Sequence, residues 1–259
     1  MVLSLNIIKS INWTSKPNIV HYGIDGFAHQ LEGILGGIAM HYCNKVNYIF
    51  TYDREYTFQH SNKLKKIQCI NYIKKVYSNL LKIYPQKKTN LSRVHIHETY
   101  LIPENPDNNI IYSIDNTYHE PAEYLFRSSD FIKSIFRKDN EYLPKPSYNN
   151  EKYNIVIHIR KGDALQRQRE LDRLELAIKH LQNTQKNTLI TIHSNGSVLE
   201  YKNESNTKLF DKDTHVLQVL SDMIHADIMI MSQSAVSSVA AWLTDSKEIY
   251  GPDFFQNNH

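Results

Sequence analysis

The stretch NIVIHIRKGD, residues 154–163, joins an apolar run to a charged turn that contains a glycine. The run from Asn154 to Ile159 predicts a strand buried on both faces, as in a parallel sheet. Further strands follow, with amphipathic helices between them. The strands span Thr188 to His193, Asp227 to Met231 and Glu248 to Tyr250, and the helices span Leu171 to Leu181, Val216 to Ile224 and Ser234 to Leu243. This alternation predicts an α/β unit whose ligands bind beyond the carboxyl ends of the strands.

The first half of the chain opens with a similar pattern. A strand at Ile19 to Tyr22, a helix ending near Tyr42 and a strand at Val46 to Tyr52 form a predicted βαβ unit. The loop before the helix opens a helix N-terminus, which favours anions, although the GxGxxG fingerprint is absent. Within the helix, each glycine costs about 1 kcal/mol relative to alanine, so we expect a ligand or another backbone to approach closely there. The glycines are Gly33, Gly36 and Gly37.

The middle of the chain separates two predicted domains. Leu64 to Ile83 is a predicted helix, whereas residues 84–145 are polar and irregular. Within that region we expect only a strand at Ile110 to Ile114 and a short helix at Ala122 to Phe126. Prolines followed by the polar run Ser147 to Lys152 are typical of a linker. The predicted domains are therefore residues 1–148 and residues 149–259.

Composition narrows the class of protein. The chain has 259 residues, is 41% hydrophobic and carries a formal net charge of +3. A balance this even is not typical of dedicated nucleic-acid binding. Cys43 and Cys69 both fall in apolar helical patterns and are expected to be buried free thiols, with no disulfide framework or zinc site. No signal peptide or membrane span is recognisable, so we expect a soluble or cytoplasmic chain.

Polar residues follow several of the predicted strands. His158, Arg160 and Asp163 cluster at the carboxyl end of the strand at Asn154 to Ile159. The planar fork of an arginine suits a pair of phosphates, and a structural ion pair between Arg160 and Asp163 is the alternative. A serine-rich turn enters the last helix, where hydroxyl and N–H groups either bind phosphate or simply cap the helix. Its serines are Ser232, Ser234, Ser237 and Ser238, and a third turn holds Ser194 and Asn195.

These residues resemble motifs of the fucosyltransferase superfamily, which includes α-1,2-, α-1,6- and protein O-fucosyltransferases. The stretch from His158 to Asp163 resembles the HxRxGD motif, and the run from Ser232 to Leu243 is similar to the serine-rich C-terminal motif. Ser194 and Asn195 look like the Ser-Asp turn of the family. Asp222 resembles the aspartate that contacts the base or ribose. Near the N-terminus, Gly26, Phe27, Ala28, His29 and Gln30 are similar to the family's Gly-Phe-Gly-Asn-Gln loop.

The resemblance implies a GT-B-type fold, in which two Rossmann-like domains face a cleft. It implies an inverting, metal-independent glycosyltransferase without a cofactor, whose co-substrates are a nucleotide sugar, GDP-fucose first, and a glycan hydroxyl acceptor. Arg160 would stand in place of a metal ion and stabilise the leaving diphosphate. In such a transfer the protein positions the reactants and stabilises the charge that develops.

The chain also departs from the family pattern. His29 stands where the family has asparagine, and it is either a general base or a hydrogen-bonding substitute. Asp25 and Asp53 are rival bases. Because the chain is short for the family, a different donor, such as UDP-xylose, is an alternative. A catalytically silent glycan- or nucleotide-binding protein is another alternative. The Asp211-Lys212-Asp213 match to a DxD metal motif is interpreted as solvated surface. Nothing in the sequence predicts the oligomeric state.

Overall fold

The structure, a computed structural model, describes residues 13–22, 26–50, 63–86, 91–98, 101–116, 122–138, 140–148, 151–160, 188–194, 196, 207–210 and 213–251. The chain divides into two compact units, Met1–Tyr142 and Leu143–His259. Each contains one parallel sheet. The division after Tyr142 lies close to the predicted boundary between residues 148 and 149. Among the helices that the structure describes, none combines the length and apolar character that a membrane span requires.

The first unit has a four-stranded sheet in the order β2-β1-β4-β3. The strands are β1 (Asn18–His21), β2 (Asn47–Tyr48), β3 (Ser92–Glu98) and β4 (Ile110–Asn116), and the helices are α1 (Phe27–Tyr42), α2 (Lys63–Ile83), α3 (Ala122–Arg127) and α4 (Ser129–Arg137). Helix α1 begins at Phe27, with Gly26 as its N-cap. The described part of β2 is only two residues long.

The glycines of α1 let the helix approach the sheet closely. A Cβ on Gly33 would overlap the imidazole ring of His21, and one on Gly37 would overlap the ring of Tyr48. Both rings are buried, with 1% and 0% of their surface exposed. At Gly33 and Gly37 the predicted close approach is therefore made by side chains of β1 and β2 rather than by another backbone.

The outer edge of β2 is covered by a side chain. Gln86, just beyond α2, donates from Nε2 to the carbonyl oxygen of Tyr48 at 2.7 Å. Its Oε1 accepts from the backbone N–H of Phe50 at 3.2 Å. The amide group thus meets the backbone as a neighbouring strand would.

The second unit has a five-stranded sheet in the order β7-β6-β5-β8-β9. Its elements are β5 (Tyr153–Ile159), β6 (Thr188–Ser194), β7 (Thr207–Phe210), α5 (Val216–Ile224), β8 (Ile228–Ile230), α6 (Ala235–Leu243) and β9 (Glu248–Tyr250). One face of the sheet is a core of isoleucines from β5, β6 and β8. Two units built on parallel sheets confirm the predicted α/β class and are the components of a GT-B-type fold.

Some predictions of individual elements were wrong or incomplete. The region 84–145, expected to be mostly irregular, contains β3 and α4. The strand β7 was not predicted. The predicted helix from Leu171 to Leu181 lies outside the described residues. Of the two cysteines, Cys69 is buried as expected, whereas Cys43, beyond the end of α1, is partly exposed; both are free thiols.

A candidate anion site at the carboxyl edge of the second sheet

Two adjacent strands bring polar residues to one edge of the second sheet. His158 of β5 lies beside His193 of β6, and Ile159 lies beside Ser194. Arg160 follows β5 directly and is partly exposed. Since side chains alternate along a strand, both histidines lie on the face opposite the isoleucine core. On that face His158 contacts Ser237 of α6 and His193 contacts Asp222 of α5.

His158 is surrounded by serine hydroxyl groups from the turn that enters α6. Its Nδ1 lies 3.1 Å from Ser232 Oγ, 3.0 Å from Ser234 Oγ and 2.9 Å from Ser237 Oγ. Ser232 and Ser237 are 2% and 0% exposed. The predicted convergence of this serine turn on the end of the strand is therefore present in the described residues.

The cluster formed by His158 Nδ1 and the three serine hydroxyl groups contains more hydroxyl protons than hydrogen-bond acceptors for them. A neutral imidazole nitrogen makes one hydrogen bond, either as an acceptor or as a donor. Ser234 Oγ lies 3.2 Å from Ser237 Oγ and can donate to it. Among the contacts of the described residues, at least one of the three hydroxyl protons is therefore left without an acceptor inside the cluster. An incoming anion would supply that acceptor.

The same turn also caps α6. Ser234 is the N-cap, and its Oγ accepts from the backbone N–H of Ser237 at 3.2 Å. Ser238 Oγ donates to the carbonyl oxygen of Ser234 at 3.2 Å. From the sequence, these serines were expected either to cap the helix or to present their hydroxyl groups to an anion. In the structure the same turn caps the helix and also places its hydroxyl groups around His158. The positive end of the α6 dipole lies at this turn.

His158 is held in its neutral form. Burial, with a smaller contribution from the neighbouring His193 and Arg160, lowers the pKa of His158 to about 3. The positive charge at this edge is therefore carried by Arg160 and not by His158. A neutral imidazole can orient the serine hydroxyl groups without repelling Arg160.

Asp222 of α5 lies beneath the site, within a network of its own. Its Oδ2 accepts from His193 Nε2 at 2.8 Å and from Ser147 Oγ at 2.6 Å. Its Oδ1 accepts from the backbone N–H of Ser147 at 2.6 Å and from Gln218 Nε2 at 2.9 Å. Asp222 is 0% exposed. Burial acts to raise the pKa of Asp222, but the hydrogen bonds from His193 and Ser147 outweigh it and hold the pKa below its usual value.

This network fixes the segment that enters the second unit. Besides Ser147, Tyr148 donates from its hydroxyl to the carbonyl oxygen of Asp222 at 2.7 Å. Ser221 Oγ donates to Pro144 O at 2.5 Å, and Gln218 Nε2 donates to Lys145 O at 3.0 Å. The predicted linker is thus docked on α5 over residues 144–148.

His193 was not among the predicted site residues. It is 1% exposed, and its ring stacks on Phe210 with centroids 4.8 Å apart. In the part of the chain that the structure describes, its Nδ1 is buried without a hydrogen-bond partner. Its position at the end of an apolar strand, beside His158 in the sheet, was the signal that could have identified it.

The N-terminal loop residues occupy a different unit. Gly26 precedes α1, and a Cβ there would meet no atom within 4 Å. Phe27 and Ala28 are buried, with 6% and 8% of their surface exposed. The side chain of His29 is 46% exposed, and its Nδ1 lies 3.3 Å from Glu32 Oε2. The role of His29 as a general base stays a prediction.

Four predicted site residues lie outside the described residues. They are Asp25, Asp53, Asp163 and Asn195. The same holds for Asp211 of the DxD match, whereas Asp213 is described and exposed. Among the described residues, no group of three or more His, Cys, Asp or Glu side chains is placed to hold a metal ion.

Comparison with known proteins gives only distant likenesses. No protein-family model and no curated protein matches the chain. The solved structure of the fucosyltransferase NodZ from Bradyrhizobium is 10% identical and matches with a TM-score of 0.42 over 89% of this chain and 94% of that chain. NodZ α-1,6-fucosyltransferase soaked with GDP-fucose is 10% identical, with a TM-score of 0.40 over 89% and 93% of the two chains. Similarity at this level identifies neither a family nor an activity.

Proposed function

We propose that the chain is a glycosyltransferase whose second unit binds the diphosphate of a nucleotide sugar, GDP-fucose first. The observation that carries this proposal is the convergence of Arg160, the serine hydroxyl groups around His158 and the N-terminus of α6 at one edge of a parallel sheet. Each of these is a donor to anions, and the carboxyl edge of such a sheet is where α/β proteins bind ligands.

The electrostatics of this edge suit a diphosphate better than a neutral ligand. Arg160 supplies the full positive charge, because the pKa of His158 lies at about 3 and its imidazole is neutral. The helix end contributes a partial positive charge, and the surplus hydroxyl proton supplies one further donor. Asp222 is enclosed by Ser147, Gln218 and His193. We propose that it positions His193 and does not touch the nucleotide.

The chemistry proposed is an inverting, metal-independent transfer of the sugar to a glycan hydroxyl group. Arg160 stabilises the charge that develops on the leaving diphosphate, which is the role a metal ion plays elsewhere. The hydroxyl groups of Ser232 and Ser234 orient the phosphate oxygens. A base accepts the proton of the acceptor, and His29, Asp25 and Asp53 are the candidates.

The test begins with titration of the full chain with GDP, UDP, GDP-fucose and UDP-xylose in EDTA, followed by calorimetry and thermal shift. A ligand that binds the native state raises the melting temperature. Arg160→Ala is compared with the control Lys152→Ala. This control removes an exposed lysine that directly precedes the first residue of β5. We expect Arg160→Ala to weaken diphosphate binding and to lower turnover by about 3–4 kcal/mol of transition-state stabilisation, while the fold is retained. Lys152→Ala should bind as the natural chain does.

The results of these experiments distinguish the hypotheses about the function of the site. Tighter binding of UDP than of GDP would replace the donor by a UDP-sugar and keep the role of Arg160. Nucleotide binding without sugar transfer to any glycan would favour a silent binding protein. Near-normal turnover in folded Arg160→Ala, or turnover that is lost in EDTA and restored by manganese, would contradict the proposed mechanism.

A further inference from the structure

Among the residues that the structure describes, two polar atoms of β6 are buried without a hydrogen-bond partner. They are Thr191 Oγ1 and His193 Nδ1. Thr191 is 0% exposed and His193 is 1% exposed, so bulk water does not reach either side chain. Native proteins rarely leave a buried polar group unpaired, because the group has lost its hydrogen bonds to water. A partner for both atoms is therefore to be sought.

The two side chains lie on the same face of the second sheet. Residues two apart along a strand point to the same side, and the residues between and before them, Ile192 and Ile190, belong to the isoleucine core on the other side. Thr191 lies beside Val156 of β5, and His193 lies beside His158. The two unpaired atoms thus belong to consecutive side chains on the face that also holds His158.

The spacing along β6 explains why Thr191 and His193 do not bond to each other. Two residues of a strand span about 6.6 Å, which is more than twice the length of a hydrogen bond. Two hydrogen bonds in succession, each about 2.9 Å long, bridge about 6 Å. Side chains lean along the strand, which covers the remaining difference. One small molecule between the two side chains can therefore bond to both.

The bond to Asp222 determines which hydrogen-bonding group His193 Nδ1 offers. Although burial raises the pKa of Asp222, hydrogen bonds from His193 and Ser147 hold this pKa below its usual value. The ionised carboxylate accepts from His193 Nε2 at 2.8 Å. A neutral imidazole with its proton on Nε2 has a lone pair on Nδ1, which needs a donor. The Thr191 hydroxyl group can donate and accept.

We propose that one buried water molecule bridges His193 Nδ1 and Thr191 Oγ1. The water donates one proton to Nδ1 and makes a second hydrogen bond with the Thr191 hydroxyl group. Buried waters typically bind polar groups that have no other partner, with two to four hydrogen bonds each. The bridging water extends the network of Ser147, Asp222 and His193 along β6 to Thr191. It also helps to hold His193 in one tautomer beside His158.

A water suits these two groups better than a metal ion. A metal ion would bind the lone pairs of Nδ1 and Oγ1 but would leave the Thr191 hydroxyl proton without an acceptor. The carboxylate that is bonded to His193, Asp222, already accepts four hydrogen bonds and does not need a cation. A water both donates and accepts, so it satisfies both side chains.

The experiment compares the full chain with Thr191→Val, which keeps the shape of the side chain and removes the hydroxyl group. Crystal structures locate the water, and oxygen-17 relaxation dispersion counts the long-lived waters in solution. The control is Thr244→Val. Thr244 is also buried, at 4% exposure, but its Oγ1 donates directly to the carbonyl oxygen of Ile224 at 2.8 Å. Melting temperatures verify that each variant is folded.

We expect a crystal structure of the natural chain to show one water within hydrogen-bond distance of both His193 Nδ1 and Thr191 Oγ1. Thr191→Val should lose one long-lived water, because one of the two groups that hold it is gone. Its melting temperature should fall, since the lone pair of His193 Nδ1 loses its donor. Thr244→Val should keep the water count of the natural chain.

Three results would overturn the proposal. The first is a crystal structure of the natural chain without a water that contacts both atoms, and this result decides alone if Thr191→Val does not fold. The second is a water count that Thr191→Val leaves unchanged. The third is a melting temperature of Thr191→Val at or above that of the natural chain, as expected when an unpaired buried hydroxyl group is replaced by a methyl group. None of these depends on nucleotide binding at Arg160, so the two proposals stand or fall separately.

Discussion

Replacement of Asp222 provides a direct measure of the network beneath the second sheet. Asp222→Ala removes a fully buried carboxylate that accepts four hydrogen bonds. Gln218 and Ser147 are partly exposed and can turn to water, but His193 is 1% exposed and cannot. Removing one partner of a buried ion pair or hydrogen-bonded group costs about 3–5 kcal/mol, which is the loss of unfolding free energy we expect.

Asp222→Asn should cost less, about 1–2 kcal/mol, because the amide can still satisfy the network. Its oxygen can accept from Ser147 and Gln218, and its Nδ2 can donate to His193 Nε2 if the imidazole proton moves to Nδ1. Nitrogen NMR of His193 would detect this change of tautomer. Since the pKa of Asp222 is lowered in the folded state, its stabilisation is complete above the unfolded pKa and is lost as the pH falls through the folded pKa.

The assay is denaturant unfolding followed by the fluorescence of Trp242, in a background that carries Trp13→Phe. The chain has two tryptophans, so this change leaves Trp242 as the sole reporter, and it lies in the second unit. The control is Asp227→Ala, whose side chain is 29% exposed and pairs with Lys247 at 3.3 Å. It should cost about 1 kcal/mol. If Asp222→Ala cost no more than this control and instead weakened nucleotide binding, Asp222 would be a nucleotide contact and the positioning role would be refuted.

Two further predictions concern buried histidines. Because the folded pKa of His158 is lowered from 6.5 to about 3, the unfolded chain binds an extra proton between these values. The stabilisation that neutral His158 provides is therefore complete above pH 6.5, and the free energy of unfolding falls by up to about 1.4 kcal/mol per pH unit as the pH drops toward 3. His158→Gln should reduce this slope. An identical slope in the variant would contradict the prediction. Gly33→Ala should lower the melting temperature, because overlap with His21 costs about 1–3 kcal/mol and exceeds the helical gain of alanine. A melting temperature that Gly33→Ala leaves unchanged or raises would show that the His21 ring moves aside without cost.

The parts of the fold that follow from local patterns were predictable. The apolar run of β5 and the spacing of α1 each determine an element through contacts close in sequence. The strand β3, with sequence SRVHIHE, alternates Arg and His with Val and Ile, and its polar face concealed it. In α4 the buried Ile132, Ile135 and Phe136 have helical spacing, but the surrounding polar residues obscured it.

In the candidate site, too, local features were predictable and long-range contacts were not. The end of β5 and the serine turn of α6 were predicted, because each is a local motif beside a strand. The partners of Asp222 were not, since Ser147 lies 75 residues away along the chain. The local sequence is the same for an aspartate that contacts a ligand and for one that hydrogen-bonds to a distant segment of the chain. Only burial and long-range contacts distinguish the two.

The contact of Gln86 with β2 bears on how copies of this chain behave when concentrated. A strand at the border of a sheet invites another molecule to add a strand, which is a route to aggregation. At β2 the Gln86 amide already occupies the groups of Tyr48 and Phe50 that an intruding strand would need. The opposite border is β3, where Val94 is 41% exposed. Intermolecular strand addition in the first unit should therefore begin at β3, and loss of the Gln86 amide would open a second border to it.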